Sequence, residues 1–191
     1  MERLGLFGGS FDPVHLGHLL VAQAACEEFS LDRIHFIPAA RSPFKPDAAP
    51  APDGIRVRML RLALAGNPKT RVDTLELDRG GTSYSVDTVN SFARRHPGAR
   101  LFWLIGADHV PTLNKWRSAG DLAQKVEFLI IPRPGAEDLP PPPGFIVHRL
   151  TGIPLGVSSS EIRARVRNRL PIRYLTGEGV SQTIHDNGLY L

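Results

Sequence analysis

Two segments near opposite ends of this 191-residue chain hold its densest chemistry. The first reads Gly8-Gly9-Ser10-Phe11-Asp12-Pro13-Val14-His15-Leu16-Gly17-His18. Gly8 and Gly9 let backbone approach a phosphate with no Cβ in the way, and Gly17 does the same at the mouth of the following helix. A helix N-terminus carries free N–H groups and partial positive charge, so it favours anions. His15 and His18 add imidazoles that can donate to phosphate oxygens. The spacing is neither the G-x-G-x-x-G of dinucleotide-binding dehydrogenases nor a P-loop with its Lys-Ser/Thr. Two histidines three apart can also share a helical face as metal ligands, but no nearby carboxylate or thiol supplies an obvious third ligand. Alone, H-x-x-H is as well explained by a glycine-rich turn with surface histidines. Its position between an opening strand and a helix is what favours the anion site.

The second segment is Val157-Ser158-Ser159-Ser160-Glu161-Ile162-Arg163. Its S-x-x-E spacing is that of a capping box. Three hydroxyls and several N–H groups gather at one helix start, and Arg163 lies one turn in, where a guanidinium fork reaches the same anion. In isolation an ordinary capped helix suffices. The segment gains weight because the first site needs a partner for distal phosphates.

The elements that must position these groups follow from hydrophobic periodicity. Leu4–Phe7 is a short buried strand, Gly17–Phe29 a helix and Arg33–Pro38 a second strand, which together make a right-handed βαβ unit. A proline-rich loop follows over 39–54, long enough for a functional role. Asp53 is placed to cap a helix over Ile55–Ala65. Arg71–Leu77 alternates as a strand does, Asp78–Gly81 reads as a turn, and Ser83 or Ser85 opens a helix to about Arg95. Leu101–Ile105 and Glu127–Ile131 are continuous apolar strands, with a helix at Asp121–Lys125 between them and a short strand at Phe145–His148 after them. The capped helix runs from Ser158 to about Asn168, and a last helix covers Val180–Asn187. Alternating strands and helices, with strands apolar on both faces, imply an α/β fold: a Rossmann-like doubly wound parallel sheet with helices on both faces. No linker appears, so residues 1–191 are read as a single domain, its C-terminal helical portion, about 158–191, carrying the serine-arginine motif. Ligands of such sheets bind at the carboxyl ends of the strands, where the candidate segments fall.

At this point the chain resembles a known family. GGSFDPVHLGH and VSSSEIR look like the paired motifs of the nucleotidyltransferase superfamily with an HxGH signature. IPAARSPFK, GTSYSVDTV, LFWLIGADHVPTLNKW and LIIPRPG are similar to the interior of bacterial nicotinate-nucleotide adenylyltransferases, in order and spacing along essentially the whole chain. The resemblance implies that Gly8, Gly9, Ser10 and Gly17 line phosphates and that His15, His18 and Arg163 act on the reacting and leaving phosphates, aided by Ser158 and Ser159. It implies that Ile105 and Arg133 flank the adenine of ATP, with Gly106 at the strand end beside it. Lys45 would bring charge from the loop, backbone N–H groups of Thr82, Ser83 and Tyr84 would hold a nicotinate carboxylate, and Trp116 would stack on its ring. Asp108 would lie near the nucleotide. The family often has histidine before the loop lysine; Phe44 stands there in this chain. The implied substrates are ATP and nicotinate mononucleotide, and the implied Mg²⁺ is held mainly by ATP phosphates. Each interior residue also has a plainer role: Trp116 as core, Asp108 as a cap, Arg133 as a surface charge. The nearest alternatives are a nicotinamide-mononucleotide or phosphopantetheine adenylyltransferase. Further away stands a non-catalytic nucleotide- or RNA-binding module, disfavoured by the scarcity of aromatics on the strands.

Composition bounds these readings without choosing among them. The formal net charge is +4 and charged residues are 22% of the chain, which suits a polyanionic ligand and argues against disorder. The single cysteine, Cys26, excludes an intrachain disulfide and fits a reducing compartment. No apolar run approaches the roughly 20 residues of a membrane span, and the N-terminus lacks the pattern of a secretory signal. A cytoplasmic protein that binds neither nucleic acid nor membrane is expected. Oligomeric state is not legible.

Overall fold

Short apolar runs bounded by glycine, proline and charge become the strands of a single parallel sheet. The computed structural model describes residues 1–44, 49–132, 139–152 and 155–191. Among them six strands are formed: β1 (Arg3–Gly9), β2 (Arg33–Pro38), β3 (Thr70–Val72), β4 (Arg100–Gly106), β5 (Val126–Ile131) and β6 (Val147–Arg149). They are parallel throughout, in the order β3-β2-β1-β4-β5-β6. This is the Rossmann-like arrangement, with the strand order reversing between β1 and β4. The loops that leave the carboxyl ends of those two strands therefore diverge and open a crevice.

The helices are α1 (Leu16–Glu28), α2 (Asp53–Leu64), α3 (Leu75–Arg79), α4 (Ser85–Arg95), α5 (Ala119–Lys125), α6 (Ser159–Arg167), α7 (Arg173–Thr176) and α8 (Glu178–Asp186). A 3₁₀ segment, Ala107–Lys115, follows β4 directly. Alternation along the strands splits the core in two. Phe36, Phe102, Leu104 and Leu129 join a cluster with α1, α2, α6 and α8. Leu4, Leu6, Trp103, Phe128 and Ile130 join another with α4, α5 and the 3₁₀ segment. Both faces of the sheet are thus covered, as the apolar strands required.

The structure departs from expectation in several places. Arg71–Leu77 is not one strand: β3 stops at Val72, and the short helix α3, Leu75–Arg79, takes the end of the expected strand and the first two residues of the expected turn Asp78–Gly81. Alternation over so few residues fits both geometries. Glu76 decides between them, because it is buried with its carboxylate 2.5 Å from the Thr88 hydroxyl on α4. Asp53 is the first residue of α2 rather than its cap, a place taken by Pro52, and its carboxylate accepts from Arg56 instead. The last strand is shifted to Val147–Arg149, and α7 falls where no element was expected.

Candidate functional site

The loop from β1 to α1 is built by packing before it meets any ligand. A Cβ on Gly8 would come within 3.0 Å of the Trp103 ring, and one on Gly9 within 3.2 Å of the Phe11 ring. At both positions the packing of the protein itself favours glycine, since a Cβ would press on a buried ring. Phe11 has φ 47°, in the left-handed region that costs a bulky residue about 1–2 kcal/mol. Its ring is 2% exposed, edge-on to Phe7 at 5.5 Å, and burial of such a ring returns about 2–3 kcal/mol, enough to hold the turn.

That turn delivers His15 to the start of α1. The His15 backbone N–H donates to His18 Nδ1 at 3.2 Å, and the two rings lie 3.7 Å apart. A Cβ on Gly17 would stand 3.0 Å from His15 Nδ1, so glycine there makes room for the imidazole. His15 is buried, and burial pushes its pKa down to about 4, which leaves the ring neutral at neutral pH. Its Nδ1 has no hydrogen-bond partner among the described residues.

The serine-arginine segment closes on this loop. Ser158 caps α6, its hydroxyl accepting from the Glu161 N–H at 3.2 Å. Ser159 Oγ donates to the Pro13 carbonyl at 2.9 Å. Arg163 Nη1 donates to the Asp12 carbonyl at 2.7 Å and lies 3.8 Å from Asp12 Oδ2, while Nη2 donates to Ser160 Oγ at 3.2 Å. The two segments, about 150 residues apart in sequence, therefore form one wall. The Ser159 hydroxyl is directed at Pro13, so towards an anion α6 offers its first-turn backbone and the remaining Arg163 donors.

Beneath the wall lies a cation that sequence reasoning did not single out. Arg56 is fully buried and donates to the carbonyls of Ala51 at 3.1 Å, Ser10 at 2.7 Å and Ala39 at 2.9 Å, and to Asp53 at 2.5 Å. It ties α2 to the loops after β1 and β2. The signal was present, since Arg56 sits on the apolar stripe of α2 with Met59 and Leu60, where a lone charge is out of place. Asp12 was quoted within the motif but given no role. It is 7% exposed, and its Oδ1 accepts from the Ala51 N–H at 3.0 Å and from the Tyr190 hydroxyl at 2.6 Å. Nothing in the spacing around Tyr190 marked it.

The other side of the crevice carries the residues expected at the base and the nicotinate ring. Ile105 is 5% exposed, in the apolar cluster that also holds Val110 and Leu113, and Gly106 at the end of β4 is buried with it. Asp108 is exposed at the start of the 3₁₀ segment, 3.8 Å from His109. Trp116 ends that segment half-buried, its ring 5.5 Å from Phe44 and 6.0 Å from His109, and its Nε1 lacks a partner among the described residues. Phe44 thus joins an aromatic group with His109 and Trp116. Of the three N–H groups expected to meet a carboxylate, that of Ser83 already donates to Arg41 O at 2.9 Å and that of Tyr84 to Thr82 O at 3.2 Å. The Tyr84 bond closes a three-residue γ-turn centred on Ser83. The Ser83 hydroxyl accepts from Ala40 N–H at 3.0 Å, and Thr82 bridges to Arg41, so this corner is joined to the start of the proline-rich loop. Lys45 and Arg133 lie outside the described residues. Cys26 is buried, and burial pushes its thiol up, so it packs rather than reacts. Among the described residues no three His, Cys, Asp or Glu side chains gather to hold a metal, and no helix is long and apolar enough to cross a membrane.

Comparison with known proteins bears on this geometry. A family profile described as cytidylyltransferase-like matches residues 6–165. A probable nicotinate-nucleotide adenylyltransferase of Opitutus terrae is 40% identical over 193 residues, covering 98% of this chain and 97% of that protein. One of Geobacillus kaustophilus is 40% identical over all of this chain and 87% of its own length. Among solved structures, the Plasmodium falciparum nicotinic acid mononucleotide adenylyltransferase complexed with NaAD superposes with a TM-score of 0.81 over 100% of this chain and 98% of that one, at 17% identity, which speaks to the fold.

Proposed function

The chain belongs to the cytidylyltransferase-like family and, within it, to the nicotinate-nucleotide adenylyltransferases, and from that premise we infer how its crevice works. The protein is a nucleotidyltransferase of NAD biosynthesis. It joins nicotinate mononucleotide to the AMP part of ATP, giving nicotinate adenine dinucleotide and pyrophosphate. The observation that carries the residue-level reading is the contact of Arg163 and Ser159 with Asp12 and Pro13, which draws both phosphate motifs into one wall.

The mononucleotide's phosphate attacks the α-phosphorus of ATP in line. With a second pKa of about 6 it is largely dianionic at neutral pH and needs no general base. The difficulty is charge: two polyanions meet and a third leaves. Catalysis is therefore positioning and electrostatic stabilisation. His15 and His18 stand at the mouth of α1, and in the free protein His15 is neutral, keeping one ring N–H to donate. Arg163 and the first turn of α6 hold the β- and γ-phosphates as they leave, with Ser158 and Ser159 shaping that turn. Gly8, Gly9, Ser10 and Gly17 give the phosphates access to backbone. Adenine lies along the end of β4 at Ile105 and Gly106. Magnesium would be held mainly by the phosphates of ATP rather than by side chains of this chain, and would supply charge neutralisation there.

For the pyridine ring we assign the aromatic group at Trp116, and for its carboxylate the entrance to α4 at Thr82, Ser83 and Tyr84, once the Tyr84 N–H exchanges its carbonyl for substrate. Asp108 is assigned to the nucleotide side of the crevice. The whole chain acts as one unit, in the cytoplasm. The test is a panel of nicotinate and nicotinamide mononucleotides with ATP, read by pyrophosphate release. Preference for nicotinate is expected, and a folded His18→Ala variant should lose most of the turnover. Equal use of both mononucleotides would overturn the nicotinate assignment.

A further inference from the structure

One part-buried contact of the crevice wall has no part in the chemistry above. The Tyr190 phenol donates to Asp12 Oδ1 at 2.6 Å, across 178 positions of chain. The same oxygen accepts the Ala51 N–H at 3.0 Å. The other carboxylate oxygen, Oδ2, lies 3.8 Å from Arg163 Nη1, which also donates to the Asp12 backbone carbonyl at 2.7 Å. Asp12 is thus held from one side by Tyr190 and Ala51 and itself holds Arg163 on the other. We propose that Tyr190 is a positioning residue for adenylyl transfer: its hydroxyl fixes the Asp12 carboxylate, and through it the Arg163 guanidinium that receives the leaving pyrophosphate. This rests on the functional reading given above.

Three features support a built device rather than a chance contact. Tyr190 is brought in by a tight turn: Gly188 and Tyr190 have φ of 55° and 65°, and the Leu189 N–H returns to Ile184 O at 3.0 Å. Tyr190 packs against the core cluster shared by α1, α2, α6 and α8, so its ring has little freedom. Burial and the neighbouring Asp12 push the phenol well above its ordinary range, so it stays a protonated donor wherever the enzyme works. Without that donor, the Asp12 carboxylate can rotate to take a shorter, two-oxygen grip on Arg163. The guanidinium then turns away from the phosphates.

Tyr190→Phe tests this, because it keeps the ring and removes only the hydroxyl. The expected result is a fall in kcat of about tenfold with the KM for nicotinate mononucleotide within about twofold, and pyrophosphate binding by calorimetry weakened to a similar degree. In an Arg163→Lys background the same change should cost little more, since the group it positions is gone. Full kcat and pyrophosphate affinity in Tyr190→Phe overturn the proposal. So does a fully additive loss with Arg163→Lys, the mark of a merely structural role. Should the wild type turn over neither mononucleotide, the functional reading falls separately. Pyrophosphate binding by wild type and Tyr190→Phe then decides the proposal, and equal or absent binding overturns it.

Discussion

Two buried imidazoles set how this protein answers to acid. His15 and His35 are each 7% exposed, and in each burial is the largest cause pushing the pKa down from 6.5 to about 4. Near His35 the Asp73 carboxylate, 3.8 Å away, opposes that shift, while His96, Arg33 and Arg95 reinforce it. Because the folded values lie below the unfolded ones, both residues contribute stability above pH 6.5 that is lost as pH falls through 4. Each steepens the decline by about 1.4 kcal/mol per pH unit within that window. Neither ring nitrogen of His35 has a hydrogen-bond partner among the described residues, so His35→Leu deletes no bond. The variant should match or exceed wild-type stability at pH 7 and lose one histidine's share of the slope, measured by urea unfolding between pH 4 and 7. An unchanged slope would show that His35 does not stay neutral. The sequence marked His15 by its place in the glycine motif. It left His35 unremarked, because one histidine in an apolar strand looks the same whether packed or functional until its neighbours are known.

At the scale of elements, most strands and helices were legible because each is long enough for its period to show. β2 coincides with the expected Arg33–Pro38, and α4 starts at one of the two serines proposed. The boundaries failed where an element is short and a tertiary contact decides, as at α3, where the Glu76–Thr88 bond outweighs local pattern. The clamp made by Arg56 was equally hidden, since its partners are three backbone carbonyls from two loops and one neighbouring side chain. Arg56→Leu removes the cation and leaves those buried carbonyls without donors. Because the Asp53 carboxylate left behind is largely exposed, the loss is that of the carbonyl hydrogen bonds and should lower the unfolding free energy by about 1–3 kcal/mol. Arg61→Leu, on the exposed face of the same helix, should change it by no more than about 0.5 kcal/mol. Urea midpoints compare the two. Similar effects would mean that Arg56 is only a tolerated charge.

Over the whole molecule, the site depends on where charge is concentrated more than on how much there is. The chain's net charge is +4, yet residues 163–173 alone hold Arg163, Arg165, Arg167, Arg169 and Arg173 with no acidic residue between them. The remainder therefore sums to −1, that is +4 less the +5 of this stretch. The positive field emanates from α6 and α7, and α6 begins at the wall where Ser159 and Arg163 meet the glycine loop. This explains why composition alone was a weak guide: an average over the chain dilutes a charge that the fold gathers beside the phosphates. Such a field steers a polyanion at low salt and is screened once the Debye length falls to about 10 Å at 0.1 M. Arg167 and Arg173 are exposed and outside the proposed phosphate contacts. Neutralising both with glutamine should lower kcat/KM for ATP by about two- to threefold at low ionic strength with kcat unchanged, and the difference should vanish near 0.5 M salt. A loss that persists at high salt would mean these arginines touch the nucleotide directly. A double variant with wild-type kcat/KM at low salt would confine the attraction to Arg163 and the helix ends themselves.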